Sequence, residues 1–234
     1  MLLVSYYECQ QMKFIAAPVN FYQEQNALER FQSLDFMGMM GIAGGGIQRR
    51  FMRMCNGANL AYTKSVFEEV HGFQGINHIA SGDDMLLMHK VAARYPKQVG
   101  YLKNSSATVF THAKPTLRDF LQQRIRWATK SSGYQEQIVI VILALVLFFC
   151  LNIILTILLI PFLGWKIVFI LVGLLLAKAI MDYLFLNLMS HFFERKQLMK
   201  SFVPSFFMHI AYIVFVGTAA NFVKNYEWKG RKVK

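Results

Sequence analysis

Two adjacent acids, Asp83 and Asp84, stand in the stretch IASGDDMLLMHK of a chain with 25 basic and 13 acidic side chains. A carboxylate at a helix N-terminus can take a proton from an incoming hydroxyl, because the helix dipole favours its anionic form and a neighbouring acid can orient it. The same residues have a purely structural use. Ser81-Gly82-Asp83-Asp84 fits the capping pattern [ST]-x-x-[DE], with Asp84 at the third helical position ahead of an apolar run. Spacing alone leaves both readings open.

A second group, Gln123-Arg124-Ile125-Arg126-Trp127, follows another capping pattern, Thr116-Leu117-Arg118-Asp119. Arg124 and Arg126 can hold phosphate oxygens, and Trp127 offers a flat face to a sugar ring or base. Arg and Trp are equally what a helix approaching a bilayer surface carries. A third group is CNGANLAY, where Cys55, Asn56 and Gly57 form a turn in which the backbone can approach a ligand, or an ordinary turn before a strand. The glycine-rich stretch GGGIQRRFMRM reads as a loop and lacks the GxxxxGK[ST] phosphate-cradling pattern. Six histidines show no HxxxH or HxH pairing, and only His112, just past a strand, is a candidate ligand. The cysteines Cys9, Cys55 and Cys150 lie far apart without CxxC spacing, which argues against a disulfide framework and a zinc site and for a reducing compartment.

Positioning these groups takes an α/β arrangement over residues 1–135. MKFIAAPV, ANLAYT, QVGYLK and ATVFT read as short strands. YQEQNALERFQSLDFMGMMG has helical spacing, with Leu28, Phe31, Leu34 and Asp35 along one side. KSVFEEV is a helix ended near Gly72, DDMLLMHKVAARYP is another, and PTLRDFLQQRIRWATKSS is an amphipathic helix leading to the next region.

That region, 136–234, reads as membrane-embedded. Hydrophobic residues make up 55% of the chain and the mean hydropathy is +0.35, with the excess in the last hundred or so residues. Residues 138–163, 166–190 and 202–223 are each long enough to cross a hydrocarbon core, which takes roughly 20 residues. Lys178 and Asp182, spaced i,i+4, can pair inside the bundle or simply sit near an interface. A net charge of +12 fits an anionic membrane better than nucleic acid, because Arg195, Lys196, Lys200, Lys224, Lys229, Arg231, Lys232 and Lys234 flank the apolar segments and no nucleic-acid-binding module is present. The opening MLLVSYYECQQMKF lacks the parts of a signal peptide. The positive-inside rule puts the Arg195–Lys200 loop and residues 1–135 on the cytoplasmic side. Three crossings would then put the basic tail outside, against that rule, unless the third segment is re-entrant or interfacial.

Taken together and in this order, CNGANLAYTKSVFEEVHGF, SGDDMLL, QQRIRW and the three apolar segments ending in WKGR resemble the second half of a family two glycosyltransferase. That inverting, membrane-bound group includes the cellulose, chitin and hyaluronan synthases. The resemblance runs from about residue 14 and implies an incomplete GT-A, Rossmann-like nucleotide-sugar fold followed by a helical transmembrane bundle. It implies single-displacement transfer from a nucleotide-sugar donor to a glycan or lipid-linked acceptor, in a multi-pass cell-membrane protein of envelope polysaccharide biosynthesis. By likeness Asp84 is the catalytic base and Asp83 positions it. Gln123, Arg126 and Trp127 hold the donor diphosphate and the acceptor sugar, and Cys55, Asn56 and Gly57 line the acceptor site. The family fold also uses a divalent metal, Mg or Mn, held by an Asp-x-Asp motif in an earlier half. No DxD occurs here, so the chain reads as an acceptor-side fragment without the metal's ligands. The competing reading is a non-catalytic membrane scaffold or a degenerate relative. The fragment reading carries an expected outcome: the purified 234-residue chain neither binds a nucleotide sugar tightly nor turns it over, and measurable transfer by it would contradict that.

Overall fold

The computed structural model describes residues 2–75, 82–129, 136–222, 226–228 and 231–233. An opening helix α1 (Leu2–Gln10) lays Leu3, Tyr6 and Tyr7 against Ile15, Ala17 and Leu102. The expected first strand is split at Ala17-Pro18 into β1 (Phe14–Ala16) and β2 (Val19–Phe21). β1 pairs antiparallel with β3 (Leu60–Tyr62) and parallel with β4 (Val99–Tyr101), while β2 pairs parallel with β5 (Val109–Thr111). The α/β expectation is therefore met only on a small scale. Among the described residues every strand has three residues, each sheet has three or two strands and helices dominate, so these residues form no broad Rossmann-like sheet.

Helix α3 (Lys64–Glu69) starts at Thr63, whose hydroxyl accepts from the Val66 N–H, and the turn after it closes with the Gly72 N–H donating to Phe67 O at 2.8 Å. Gly72 has φ +47 and its Cα lies against the Phe67 ring, so a side chain there would meet both a strained backbone and a clash. Helix α4 (Asp83–Arg94) and α3 pack Val66, Leu87, Met88 and Val91 onto Phe14, Ala16 and Val99. Each such side chain contributes about 1.5–3 kcal/mol on burial. Lys90 then reaches back to Gly72 O at 2.6 Å and Gln74 O at 3.0 Å, tying the two helices.

The long helix α2 (Ala27–Arg49) corrects the reading of GGGIQRRFMRM as a loop, because Gly44, Gly45 and Gly46 continue the helix. Asn26 caps its start, with the Asn26 side-chain oxygen accepting from Glu29 N–H at 2.9 Å and the Asn26 amide donating to the Glu29 carboxylate at 3.0 Å. It ends where Arg50 turns left-handed at φ 58. Glycine is used here for close approach. A methyl group on Gly41 would collide with Met189 and Phe185, and one on Gly44 would collide with the Tyr101 ring at 2.8 Å. Intrinsic propensity is overridden by packing.

Helices α6 (Gln137–Leu163) and α7 (Lys166–Phe192) form the expected hairpin, turning at Gly164 with φ 73. Together with α8 (Phe202–Phe222), which follows a tight turn over Lys196–Ser201, they are long and apolar enough to cross a membrane. Large apolar side chains near the hairpin tip stand exposed, among them Phe162 at 82% and Phe169 at 69%. Lys178 and Asp182 do pair, with the ammonium also 5.4 Å from the centroid of the Phe206 ring. Residues Tyr226–Trp228 (β6) and Arg231–Val233 (β7) pair antiparallel.

Helix α5 (Leu117–Thr129) starts as expected from Thr116, whose hydroxyl accepts from Asp119 N–H at 3.1 Å and donates to its carboxylate at 2.7 Å. It is held against α2 by Arg124 and Asp35, a pair 2.7 Å apart with side chains 3% and 4% exposed. The Tyr212 hydroxyl donates to the other Asp35 oxygen at 3.0 Å, so α8 joins the same contact. Removing one partner of a buried pair leaves the other charge uncompensated and costs about 3–5 kcal/mol, whereas replacing both with apolar groups is often neutral. Asp35→Ala is thus expected to lower thermal stability in detergent sharply, and the double variant Asp35→Leu/Arg124→Met much less. Equal stability of the single variant and the native protein would remove this pair as the anchor.

Candidate functional site

Helix α4 begins one residue later than the capping pattern requires. Gly82, with φ 94, occupies the N-cap position and gives no side-chain cap. The proposed cap residue Ser81 lies outside the described residues. Asp84 is therefore at the second helical position, and its carboxylate is spent on other groups: Oδ1 accepts from Met85 N–H at 2.8 Å and Oδ2 from Gly57 N–H at 2.7 Å. The Gly57 bond joins the two stretches that the sequence kept 27 residues apart.

Gly57 owes its identity to that contact. A Cβ there would sit 3.2 Å from Asp84 Oδ2 and 3.4 Å from Asp84 Cβ. The turn around it is fixed from both sides. Asn56 accepts from Ala58 N–H at 2.9 Å, and the Asn59 amide donates to Pro18 O at 2.8 Å and Ala107 O at 2.7 Å, anchoring the turn beneath both small sheets. His89, on the buried side of α4, meets Arg53 O at 3.0 Å and so fastens the extended segment leading into this turn.

Around this contact lies a cavity of about 320 Å³. Its polar wall is Cys55, Asn56, Gly57, Asp83, Asp84 and Arg126, and Trp127 lies with them. Phe36, Met39, Met40 and Ala43 of α2, with Met54 and Met85, form the apolar side. The Trp127 ring carries the Arg124 guanidinium over one face, 4.5 Å from its centroid, and has Phe36 beside it at 6.2 Å. A more apolar cavity of about 250 Å³ between α2 and the long apolar helices shares Met39 and Met54 with this one but none of its polar groups.

Seven of the eight residues singled out from sequence thus line one cavity: Cys55, Asn56, Gly57, Asp83, Asp84, Arg126 and Trp127. Gln123 does not. It sits one turn earlier on α5, and its Oε1 is buried without a hydrogen-bond partner among the described residues. Arg124 is corrected too. It is no phosphate ligand, because Asp35 and the two rings of Phe120 and Trp127 enclose it. His112 is exposed and its ring lies 4.5 Å from that of Tyr22. Residues that sequence reading missed are the methionines of α2 and Met54, whose apolar type matches any core position. The one signal for the Arg124 contact was Asp35 itself, an acid on an apolar helix face.

The family's divalent metal finds no fitting ligand set among the described residues. No three His, Cys, Asp or Glu side chains come together, and both Asp84 oxygens are turned to backbone N–H groups. No step below is routed through a metal.

Burial pushes the Cys55 thiol well up from its ordinary range, with Asp84 and then Asp83 adding to the shift. The folded state therefore holds this proton at a pH where the unfolded chain has lost it. Stability from this group is present below the ordinary thiol pKa and falls as pH rises above it. In the native protein iodoacetamide is expected to label exposed Cys9 at pH 8 and leave Cys55 unreacted. Asp84→Asn removes one negative neighbour, so Cys55 labelling should become faster at fixed pH, though burial still dominates. Rapid labelling of native Cys55 would show that the cavity does not hold its thiol neutral.

No curated protein matches the chain. A family model does: that of glycosyl transferase family group 2 matches residues 1–220, which take in every group of the cavity and all but the last two residues of the three long apolar helices. The chain belongs to the glycosyl transferase family group 2.

Proposed function

We propose that the chain is the acceptor-side part of an inverting, membrane-bound glycosyltransferase, with residues 1–135 as its catalytic portion on the cytoplasmic side and 136–234 as its membrane portion. The observation that carries this reading is the convergence of Asp84, Arg126 and Trp127 on one cavity from two helices far apart in sequence. Family membership supplies glycosyl transfer in general. The three long apolar helices support a bilayer setting.

In this reading the acceptor sugar lies on Trp127 with a hydroxyl directed at Asp84. The backbone N–H groups of Gly57 and Met85 hold the two carboxylate oxygens in place at the cavity wall. The hydroxyl proton passes to Asp84 as its oxygen attacks the anomeric carbon from the face opposite the leaving group. The bond from that carbon to the donor diphosphate breaks, and its electron pair leaves with the nucleoside diphosphate, so the configuration inverts. Arg126 meets the diphosphate charge. Asp83 and the turn Cys55-Asn56-Gly57 keep the base in place. The acceptor is a glycan or a lipid-linked sugar.

The test is transfer of radiolabelled sugar, with a panel of nucleotide sugars, in membranes containing this chain joined to a donor-binding half of the same family. Asp84→Asn should lower turnover by about 10²–10⁴-fold, the range for a general base, with acceptor KM little changed. Full activity in that variant would sink the assignment. Trp127→Ala should instead raise acceptor KM, by a loss of about 1–3 kcal/mol if sugar stacking matches the values known for bases. Unchanged acceptor kinetics would return Trp127 to a role in helix packing alone.

A further inference from the structure

The path of α8 answers the conflict between three apolar segments and the positive-inside rule. After α7 the chain does not leave the globular side. The Arg195 guanidinium donates to Phe21 O at 3.0 Å and Glu24 at 2.6 Å, and Leu198 packs with Val19 and Phe21 of β2. The chain then turns back along α7, so that Phe202 meets the Tyr183 ring at 5.2 Å and Phe206 lies beside Lys178. There, with Cys150 and Ile153 of α6, Phe206 and Ile210 form a buried cluster. From this cluster α8 runs on against the globular helices: the Tyr212 hydroxyl donates to Asp35 of α2 at 3.0 Å, and the Tyr212 ring meets Phe120 of α5 at 5.5 Å. Gly217 touches Leu147, and Ala220 and Asn221 face Ile140 and Ala144 across a cavity that also contains Trp127 and Thr129.

Helix rise gives the levels. Cys150 lies about 20 Å along α6 from its start, at 1.5 Å per residue. The start itself is tied to the globular part, Glu136 accepting from the Arg53 backbone N–H at 2.7 Å. From Phe206 to Gly217 α8 advances about 16 Å, while its neighbours on α6 shift only from Cys150 to Leu147, so α8 lies steeply inclined to α6 and does not follow the hairpin to its tip. Its last turns line one cavity with Trp127 and Thr129 of α5. The parts of α6 and α7 beyond α8, near the exposed tip residues Phe162 and Trp165, continue alone.

We propose that α8 does not cross the membrane: it is a re-entrant strut that returns the C-terminal tail to the face carrying the candidate site. The tail's basic residues Lys224, Lys229, Arg231, Lys232 and Lys234 then meet the anionic headgroups of that leaflet, in keeping with the positive-inside rule. The inference rests on the hairpin α6–α7 crossing the bilayer and is independent of glycosyl transfer.

The experiment labels single added cysteines with a bulky, membrane-impermeant maleimide in sealed vesicles, before and after permeabilisation. Native Cys9 reports the globular face. In a Cys9→Ser background, Lys234→Cys reports the tail and Trp165→Cys the hairpin tip. The Cys9→Ser protein without an added cysteine controls for Cys55 and Cys150. The expected result is that position 234 labels in the same vesicle orientation as Cys9 and position 165 in the opposite one. Labelling of 234 together with 165 overturns the proposal, and labelling of all three together overturns the crossing hairpin it rests on. Trypsin added to vesicles of the unsubstituted protein gives a second readout. Peptides from the tail and from residues 1–135 should be released together, and protection of the tail alone would refute the proposal.

Discussion

The Asp35–Arg124 pair is the contact on which the rest of the arrangement depends. It sits where α2, α5 and α8 meet, buried on both sides, with Tyr212 completing the carboxylate's coordination. An ion pair in such surroundings is a poor source of net stability but a strict specifier of geometry, because any packing that separates the partners strands a charge. Here the geometry it specifies is that of the helix carrying Arg126 and Trp127. The guanidinium sits over the Trp127 ring, 4.5 Å from its centroid, so the ring's position relative to the cavity follows from the position of Asp35 on another helix.

The glycines of α2 serve the same end by different means. Gly38 and Gly41 let the helix approach Leu186, Phe185 and Met189 of α7, and Gly44 admits the Tyr101 ring. The outcome is a helix in contact with the small sheet on one side and with an apolar helix on the other. Through it the globular and apolar portions of the chain are joined by side-chain packing rather than by a linker alone. At the cavity, Gly57 repeats the device: the missing side chain is what lets a backbone N–H reach Asp84 at 2.7 Å.

Much of this was legible from residue types. The strands, the amphipathic helix ending in Trp127, the hairpin of apolar helices and the Lys178–Asp182 pair all follow from periodicity and composition, since those patterns record which faces must be buried. One misreading has a clear cause. GGGIQRRFMRM reads as a loop because glycine lowers helix propensity, and the Tyr101 ring that requires glycine at position 44 is distant in sequence. The cap of α4 is Gly82, and Ser81 lies outside the described residues.

The sequence by itself determined the chemical inventory: an acid pair at a helix start, an Arg-Trp pair at a helix end, a glycine turn, and three apolar stretches of spanning length. These are properties of residue type and near-neighbour spacing. Only the tertiary structure decided which of them share a cavity, that Arg124 is buried against Asp35 while Arg126 lines the cavity, that Gln123 stands apart, and that α8 docks on α2 and α5. Each of those depends on contacts between residues from 27 to 177 positions apart. Which partner wins such a contact is set by the packing of the whole chain, and no local pattern encodes it.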